Sequence, residues 1–205
     1  ERLTSILWEN LKDFICPKMN EIPQNVVNAP RESDQKIIPP KVVNVPYESD
    51  KFKGIITKLG NGTAKNAFIK GVINITSNTN ASDSYIPSKA LEYDNNNYYH
   101  SYNTGSYSTE GHTEWLCVDF KERKVKPSHY SIKSYGGNSC NLQNWVLEGS
   151  NNNESWTVLD TRNNDKSLDG SSNPSITFEI QNSYQNNEFY RYLRIRQTGP
   201  NSNTN

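Results

Sequence analysis

The sequence predicts an antiparallel all-β sandwich, and three observations carry that reading. Trp145 and Leu147 alternate with Val146 and Glu148, the period of two expected of a strand with one buried face. The run Gly149-Ser150-Asn151-Asn152-Asn153 follows, residues that tolerate positive φ or bond their own backbone, and Trp156-Thr157-Val158-Leu159-Asp160 returns as the second arm of a hairpin. Apolar segments at 114–120, 129–135, 144–149, 156–161, 176–180 and 189–198 recur at roughly the eight-to-twelve-residue spacing of sandwich strands. Alternation places Leu116, Val118, Phe120, Tyr130, Ile132, Trp145, Leu147, Trp156, Val158, Ile176, Phe178, Ile180, Leu193 and Ile195 inward.

Taken in order, the chain opens with Leu3, Ile6, Leu7, Leu11, Phe14 and Ile15 at intervals of three and four, which predicts an amphipathic helix stopping before Pro17. Its single apolar stripe suggests that residues 1–16 are the terminal helix of an upstream domain, the alternative being a helix docked on the sandwich itself. Residues 17–51 hold Pro17, Pro23, Pro30, Pro39, Pro40 and Pro46 among many charges, the composition of a linker. Within it Val26-Val27-Asn28-Ala29-Pro30 returns sixteen residues later as Val42-Val43-Asn44-Val45-Pro46, giving two short extended segments. Residues 52–205 form the sandwich domain. Its turn Gly60-Asn61-Gly62 lacks the spacing of a phosphate loop, and Val72-Ile73-Asn74-Ile75-Thr76 reads as its first clear strand, 72–77.

The hairpin resembles that of the discoidin, or coagulation factor 5/8 type C, domains. Glu114-Trp115-Leu116-Cys117-Val118-Asp119-Phe120, Val125-Lys126-Pro127-Ser128-His129-Tyr130-Ser131-Ile132 and Tyr190-Arg191-Tyr192-Leu193-Arg194-Ile195-Arg196-Gln197-Thr198-Gly199-Pro200 fit the same family in the same order. The likeness covers about residues 68 to 200 and is greatest to intracellular members attached to BTB or ubiquitin-ligase proteins. It implies a galactose-binding-like jelly roll that binds and does not catalyse, and a BTB-linked domain upstream. It also implies one more strand after the Gly199-Pro200 segment, so the sandwich is expected to be truncated, with strand 72–77 open and the segments 26–34 or 42–50 available to pair with it. Ala90-Leu91-Glu92-Tyr93-Asp94 resembles the calcium loop of related carbohydrate-binding modules, which makes Asp94 and Asn96 the calcium candidates, although Glu92 and Tyr93 replace the usual Asp-Gly.

Composition narrows the function classes. Lys and Arg number 22 and Asp and Glu 22, so no concentrated positive charge favours nucleic acid. No apolar run approaches the ~20 residues of a membrane span. Twelve Tyr, four Trp and six Phe supply core area in a chain that is only 33% hydrophobic. Cys16, Cys117 and Cys140 cannot all pair internally, which favours a reducing, cytoplasmic setting. Sequons begin at Asn61, Asn74, Asn80 and Asn153, as chance produces in a chain rich in Asn, Ser and Thr.

No catalytic constellation is legible. His100, His112 and His129 are not at metal-ligand spacing, no Gly-x-Ser-x-Gly elbow occurs, and Glu148 lacks the second carboxylate that glycoside hydrolysis needs. Tyr192, Arg194 and Arg196 share one face of the last strand, read as stacked and paired side chains. If strands alternate direction, connections 94–113, 136–143, 162–175 and 199–205 gather at one end of the sandwich. That rim carries the binding candidates: Tyr98, Tyr99 and His100 as an aromatic platform, with Asn138, Asn141, Arg162, Asn164 and Asn201 as polar contacts. Two functions fit it, a protein-interaction module within a larger intracellular scaffold and a lectin-like module binding a glycan through the same rim.

Overall fold

The computed structural model describes residues 5–7, 11–14, 42–45, 51–94, 96–102, 113–135, 140–170, 172–180 and 187–202. In chain order the elements are β1 (Ser5–Leu7), β2 (Leu11–Phe14), β3 (Val42–Asn44), α1 (Ile55–Leu59), α2 (Ala64–Ile69), β4 (Asn74–Ser77), two 3₁₀ turns (Asp83–Tyr85 and Pro87–Leu91), β5 (Trp115–Asp119), β6 (Lys126–Pro127), β7 (His129–Lys133), β8 (Trp145–Ser150), β9 (Thr157–Arg162), β10 (Ser175–Glu179) and β11 (Tyr192–Gln197). All pairings between these strands are antiparallel.

A five-stranded sheet, β4-β5-β11-β8-β9, faces a three-stranded sheet, β1-β7-β10. One apolar core lies between them, with Leu116, Val118, Leu147, Leu193 and Ile195 from the first sheet and Tyr130, Ile132 and Phe178 from the second. Trp145 on β8 meets Phe178 on β10 edge-on at 5.2 Å, and Tyr130 on β7 stacks on the same ring at 5.2 Å. The indole Nε1 donates to the Tyr130 hydroxyl at 2.9 Å, and that hydroxyl donates to Asp160 on β9 at 2.7 Å. The buried polar atoms of these three side chains thus satisfy one another across the sheets.

The expected alternation holds on β5, β8 and β11 and fails on β9. Leu147 pairs with Asp160 but Glu148 pairs with Val158, so Leu159 is an extra residue in the ladder. This bulge reverses the phase of the strand. Val158 is 50% exposed and Trp156 lies on the outer face, where the Arg194 guanidinium sits 3.8 Å from its ring centre, so both correct the inward assignment. Leu159 and Asp160 take the buried positions.

The N-terminal segment differs from the helix expected over 3–15. Where the structure describes it, it is extended: β1 pairs with β7, and β2 pairs with β3 and β6. A short apolar run fits either period, and an available sheet edge supplies backbone hydrogen bonds that an isolated short helix does not have. β3 joins β2 rather than β4, so residues 42–44 do not fill the edge foreseen for them, and residues 26–34 lie outside the described residues. Among the described strands β4 pairs with β5 alone. Between β3 and β4 the chain forms α1 and α2, the second capped by the Thr63 hydroxyl accepting from the Asn66 amide at 3.2 Å.

Gly149 sits under the Tyr190 ring: a Cβ placed there would lie 2.5 Å from the ring carbon Cγ. Two substitutions test this core by urea unfolding. Trp145→Ala removes the largest fully buried side chain and is expected to cost about 3–5 kcal/mol, and Gly149→Ala, which forces an aromatic ring aside, about 1–3 kcal/mol.

Candidate functional site: the loop end and its aromatic surface

Hydrogen bonds tie together the described parts of three of the connections expected at one end, 136–143, 162–175 and 199–205. The Cys140 amide donates to the Ser202 carbonyl at 2.9 Å, Asp165 to Gln143 at 2.9 Å, Gln197 to Glu114 at 2.8 Å, and the Asn144 side chain to the Pro200 carbonyl at 2.7 Å. The individual rim residues are placed differently from their expected roles. Asn141 is buried, its side-chain oxygen accepting from Ser134 at 2.7 Å while its amide donates to the Ser202 hydroxyl at 2.9 Å. Asn201 is also buried. Arg162 donates to Asp160 at 2.8 Å and to the Glu179 carbonyl at 3.0 Å, with its guanidinium over the Phe178 ring. The Asn141 and Arg162 side chains therefore tie the rim together, whereas the buried Asn201 side-chain nitrogen and oxygen have no hydrogen-bond partner. Asn164 is exposed in a left-handed turn, with φ of 52°, and Asn138 lies outside the described residues.

The aromatic platform is corrected most clearly at Tyr99. Its side chain is fully buried and its hydroxyl donates to the Thr79 carbonyl at 2.5 Å. Burial pushes the phenol up to about 12, against the opposing effect of its hydrogen bonds to Ser77 and Thr79. Tyr98 and His100, on either side of it, point the other way and are half-buried. The Tyr98 ring packs 5.1 Å from Tyr85 and 4.2 Å from Tyr135, and the His100 ring lies 5.4 Å from Tyr85. Sequence reasoning did not single out Tyr85 or Tyr135, which fold topology brings to this cluster from a 3₁₀ turn and from the end of β7.

The surface continues to Tyr93, which is 62% exposed. Its ring packs 4.1 Å from Phe52, and the Lys133 ammonium sits 4.3 Å from its centre. Phe52 and Tyr93 wall a pocket of about 470 Å³ whose lining also includes Leu91, Lys53, Lys65 and Glu92.

The calcium candidates lie in a turn that Asp94 caps. Asp94 Oδ1 accepts from the Asn96 amide at 2.8 Å and Oδ2 from the Asn97 side chain at 2.7 Å, so both oxygens cap a turn. The bond from the Asn96 amide, reinforced by that from Asn97, holds the carboxyl below its usual pKa, and Lys133 and Lys89 already supply positive charge nearby. Among the described residues no group of three or more His, Cys, Asp or Glu could hold a metal.

The outer face of the five-stranded sheet shows the pairing expected of Arg194 and Arg196. Glu148 Oε2 accepts from Arg194 Nε at 2.6 Å, and Oε1 accepts from Arg196 Nη2 at 2.8 Å. Burial raises the Glu148 pKa, but the bonds from Arg196 and Arg194 outweigh it and hold the carboxyl below its ordinary value. On the same face burial pushes the Cys117 thiol up to about 12, which keeps it protonated and unreactive.

Comparison with known proteins adds context. No protein-family model matches the chain. It is similar to the E3 ubiquitin-protein ligase Ufd4 of Drosophila melanogaster, 33% identical over 93 residues, a stretch covering 43% of this chain and 3% of the relative. Similar solved structures include a CBM32 module from Clostridium perfringens in complex with GalNAc-β-1,3-galactose, at 11% identity and a TM-score of 0.48, covering 64% of this chain and 87% of that one. A family 32 carbohydrate-binding module from NanJ of the same organism, in complex with galactose, aligns at 13% identity and a TM-score of 0.45 over 64% of this chain and 85% of that one.

The Glu148 cluster generates a pH prediction. A carboxyl whose pKa is lower in the folded state contributes stability that is complete above its unfolded pKa and is lost as pH falls through the folded value. Glu148→Gln is therefore expected to cost roughly 2–3 kcal/mol at pH 7. Its stability should also fall less steeply than that of the parent protein as pH drops from about 5 to 3. Urea midpoints across that range check both.

Proposed function

We propose that this chain is a non-catalytic recognition module that binds a partner protein within a larger intracellular assembly. The observation that carries the reading is the state of the rings at the loop end. Stacking a sugar requires an open aromatic face. Here Tyr99 is in the core and Tyr98 packs between Tyr85 and Tyr135, while the more exposed rings, Tyr93 at 62% and Tyr102 at 58%, stand apart from that cluster, Tyr93 against Phe52 and Lys133. Ring edges, hydroxyls and mixed charges set on a folded rim suit the varied surface of a protein better than the flat face of a pyranose.

Cys117 and Cys140 are free thiols, which supports a reducing compartment. The 93-residue similarity to a ubiquitin ligase supports a place in a larger assembly, as a recognition part of a scaffold. Among the described residues no helix is long and apolar enough to cross a membrane. The inert Cys117 thiol and the arginine-paired Glu148 support a binding role over catalysis, since neither is poised to react.

The test combines proximity labelling with a glycan array, each run on the parent chain and on a Tyr98→Ala, Tyr135→Ala double variant that keeps its β-sheet circular dichroism. The expected result is a set of protein neighbours lost in the variant and no glycan retained at millimolar concentration. A glycan bound through the same two tyrosines, with no protein neighbour that depends on them, establishes the lectin alternative instead.

A further inference from the structure

The outer face of the five-stranded sheet carries an arrangement that the loop end does not use. Register sets Arg196 on β11 between Trp115 and Val146, and Arg194 between Cys117 and Glu148, with Val158 next to Glu148 on the edge strand β9. All these strands are described, so the surroundings of the two arginines along the sheet are known on both sides. Among the described elements neither the helices nor β1, β2 and β3 pack substantially on β5, β11, β8 or β9, which leaves this face to its own side chains.

Hydrogen-bonding capacity on the face is spent unequally. Glu148 Oε2 accepts from Arg194 Nε at 2.6 Å and from Arg196 Nε at 3.1 Å, and Oε1 accepts from Arg196 Nη2 at 2.8 Å, so both carboxylate oxygens are taken. The guanidiniums are not used up. Arg194 keeps Nη1 and Nη2 and Arg196 keeps Nη1, with no other hydrogen bond or ion pair to either guanidinium among the described residues. The acceptor is sealed while the donors stay open: the Glu148 side chain is 4% exposed, against 17% for Arg194 and 30% for Arg196. The other carboxylate on the face, Asp119, is held by Arg191 at 2.8 Å. Two guanidiniums against one carboxylate leave a single positive charge, presented through N–H groups.

The donors are also fixed in place. Both Nε groups meet the same Glu148 oxygen, so the guanidiniums converge, and Arg194 is further held 3.8 Å above the Trp156 ring. A fork held in one orientation loses little freedom when it binds. Apolar surface lies beside it in the half-buried Trp156 and Trp115 rings and in Val158, which is 50% exposed.

We propose that this face docks a partner-protein segment that presents one Asp or Glu, its carboxylate taking the free Nη groups of Arg194 and Arg196 while neighbouring apolar side chains cover Trp156 and Val158. Guanidinium N–H pairs match a carboxylate in geometry as well as charge, and Trp and Arg are the residue types that carry most interface affinity. A polyphosphate gains less here, because it rewards a run of cations and the face offers one uncompensated charge. The surface is separate from the loop-end tyrosines and adds a second contact, of stated chemistry, to the reading above.

The test uses the full chain and labelled peptides from a library with a central Asp or Glu between randomised residues, beside the matched library with Asn or Gln in that place and heparin as a non-peptide polyanion. Binding is read by fluorescence anisotropy. Hits are expected from the acidic library alone, with an apolar residue beside the acid. Val158→Glu and Val158→Lys remove the same apolar side chain from an exposed edge position and differ only in charge, so the Lys variant should bind about tenfold more tightly than the Glu variant. Arg196→Gln, which leaves Arg194 on Glu148, should weaken binding by about tenfold or more. The Tyr98→Ala, Tyr135→Ala double variant should bind these peptides as the parent does. Equal binding of the acidic and amide libraries, no peptide held at millimolar concentration, preference for heparin over every peptide, or equal affinity of the two Val158 variants overturns the proposal. Acidic peptides lost in the tyrosine double variant but not in Arg196→Gln overturn it too, and leave the loop-end reading standing.

Discussion

The Tyr130 hydroxyl is the point on which the two sheets depend. It accepts from the Trp145 indole on one sheet and donates to Asp160 on that sheet's edge strand, while its own ring belongs to the opposing sheet. Burial, reinforced by the Asp160 charge, raises the phenol well above its ordinary pKa, so it remains a donor at any physiological pH. Asp160 in turn accepts from Arg162, which reaches on to the Glu179 carbonyl of β10. A buried carboxylate is costly unless it is paired, and here a phenol and a guanidinium both donate to its Oδ2. The chain of contacts thus runs from the middle of the core to the rim, where Arg162 also approaches Asp165 in the following turn.

This arrangement explains why so many rim residues with polar side chains are structural. Loops at the open end of a sandwich carry backbone groups that the ladders cannot satisfy, and those groups need partners. Asn141, Asn144 and Ser202 supply them, tying 140–144 to 199–202. Beside these ties lie the Tyr85, Tyr98 and Tyr135 rings and, beyond Lys133, the pocket between α2 and Leu91–Asp94. Proposed recognition residues and scaffold residues are neighbours in sequence here. Tyr98 and Tyr99 are adjacent, and one is half-buried among Tyr85 and Tyr135 while the other fills the core.

The same adjacency marks the limit of what the sequence discloses. The strands around Trp145, Leu116 and Leu193 are legible because a buried face imposes a period of two over five or six residues. β9 breaks that rule through one inserted residue, Leu159, which no periodicity reveals. Tyr99 sits in an irregular connection with no period at all, so an exposed platform and a core anchor read alike. α1 and α2 span five and six residues, too short for a helical period to stand out. The pocket joins Phe52 to Tyr93, residues far apart in the chain whose meeting is decided by topology, and the apolar run of 3–15 fits two periods until its sheet partners are known.

A double-mutant cycle at the inter-sheet contact tests the central claim most directly. Tyr130→Phe and Asp160→Asn, singly and together, are unfolded in urea in a background where Trp145 is the one tryptophan retained, so that its fluorescence reports the core. A coupling energy above about 1 kcal/mol is expected, within the range of residues that share one buried network, because either substitution removes the same bond from the network that Trp145 and Arg162 complete. Additive costs with unchanged Trp145 emission in both single variants would contradict it, and would mean that the sheets are held by apolar packing alone.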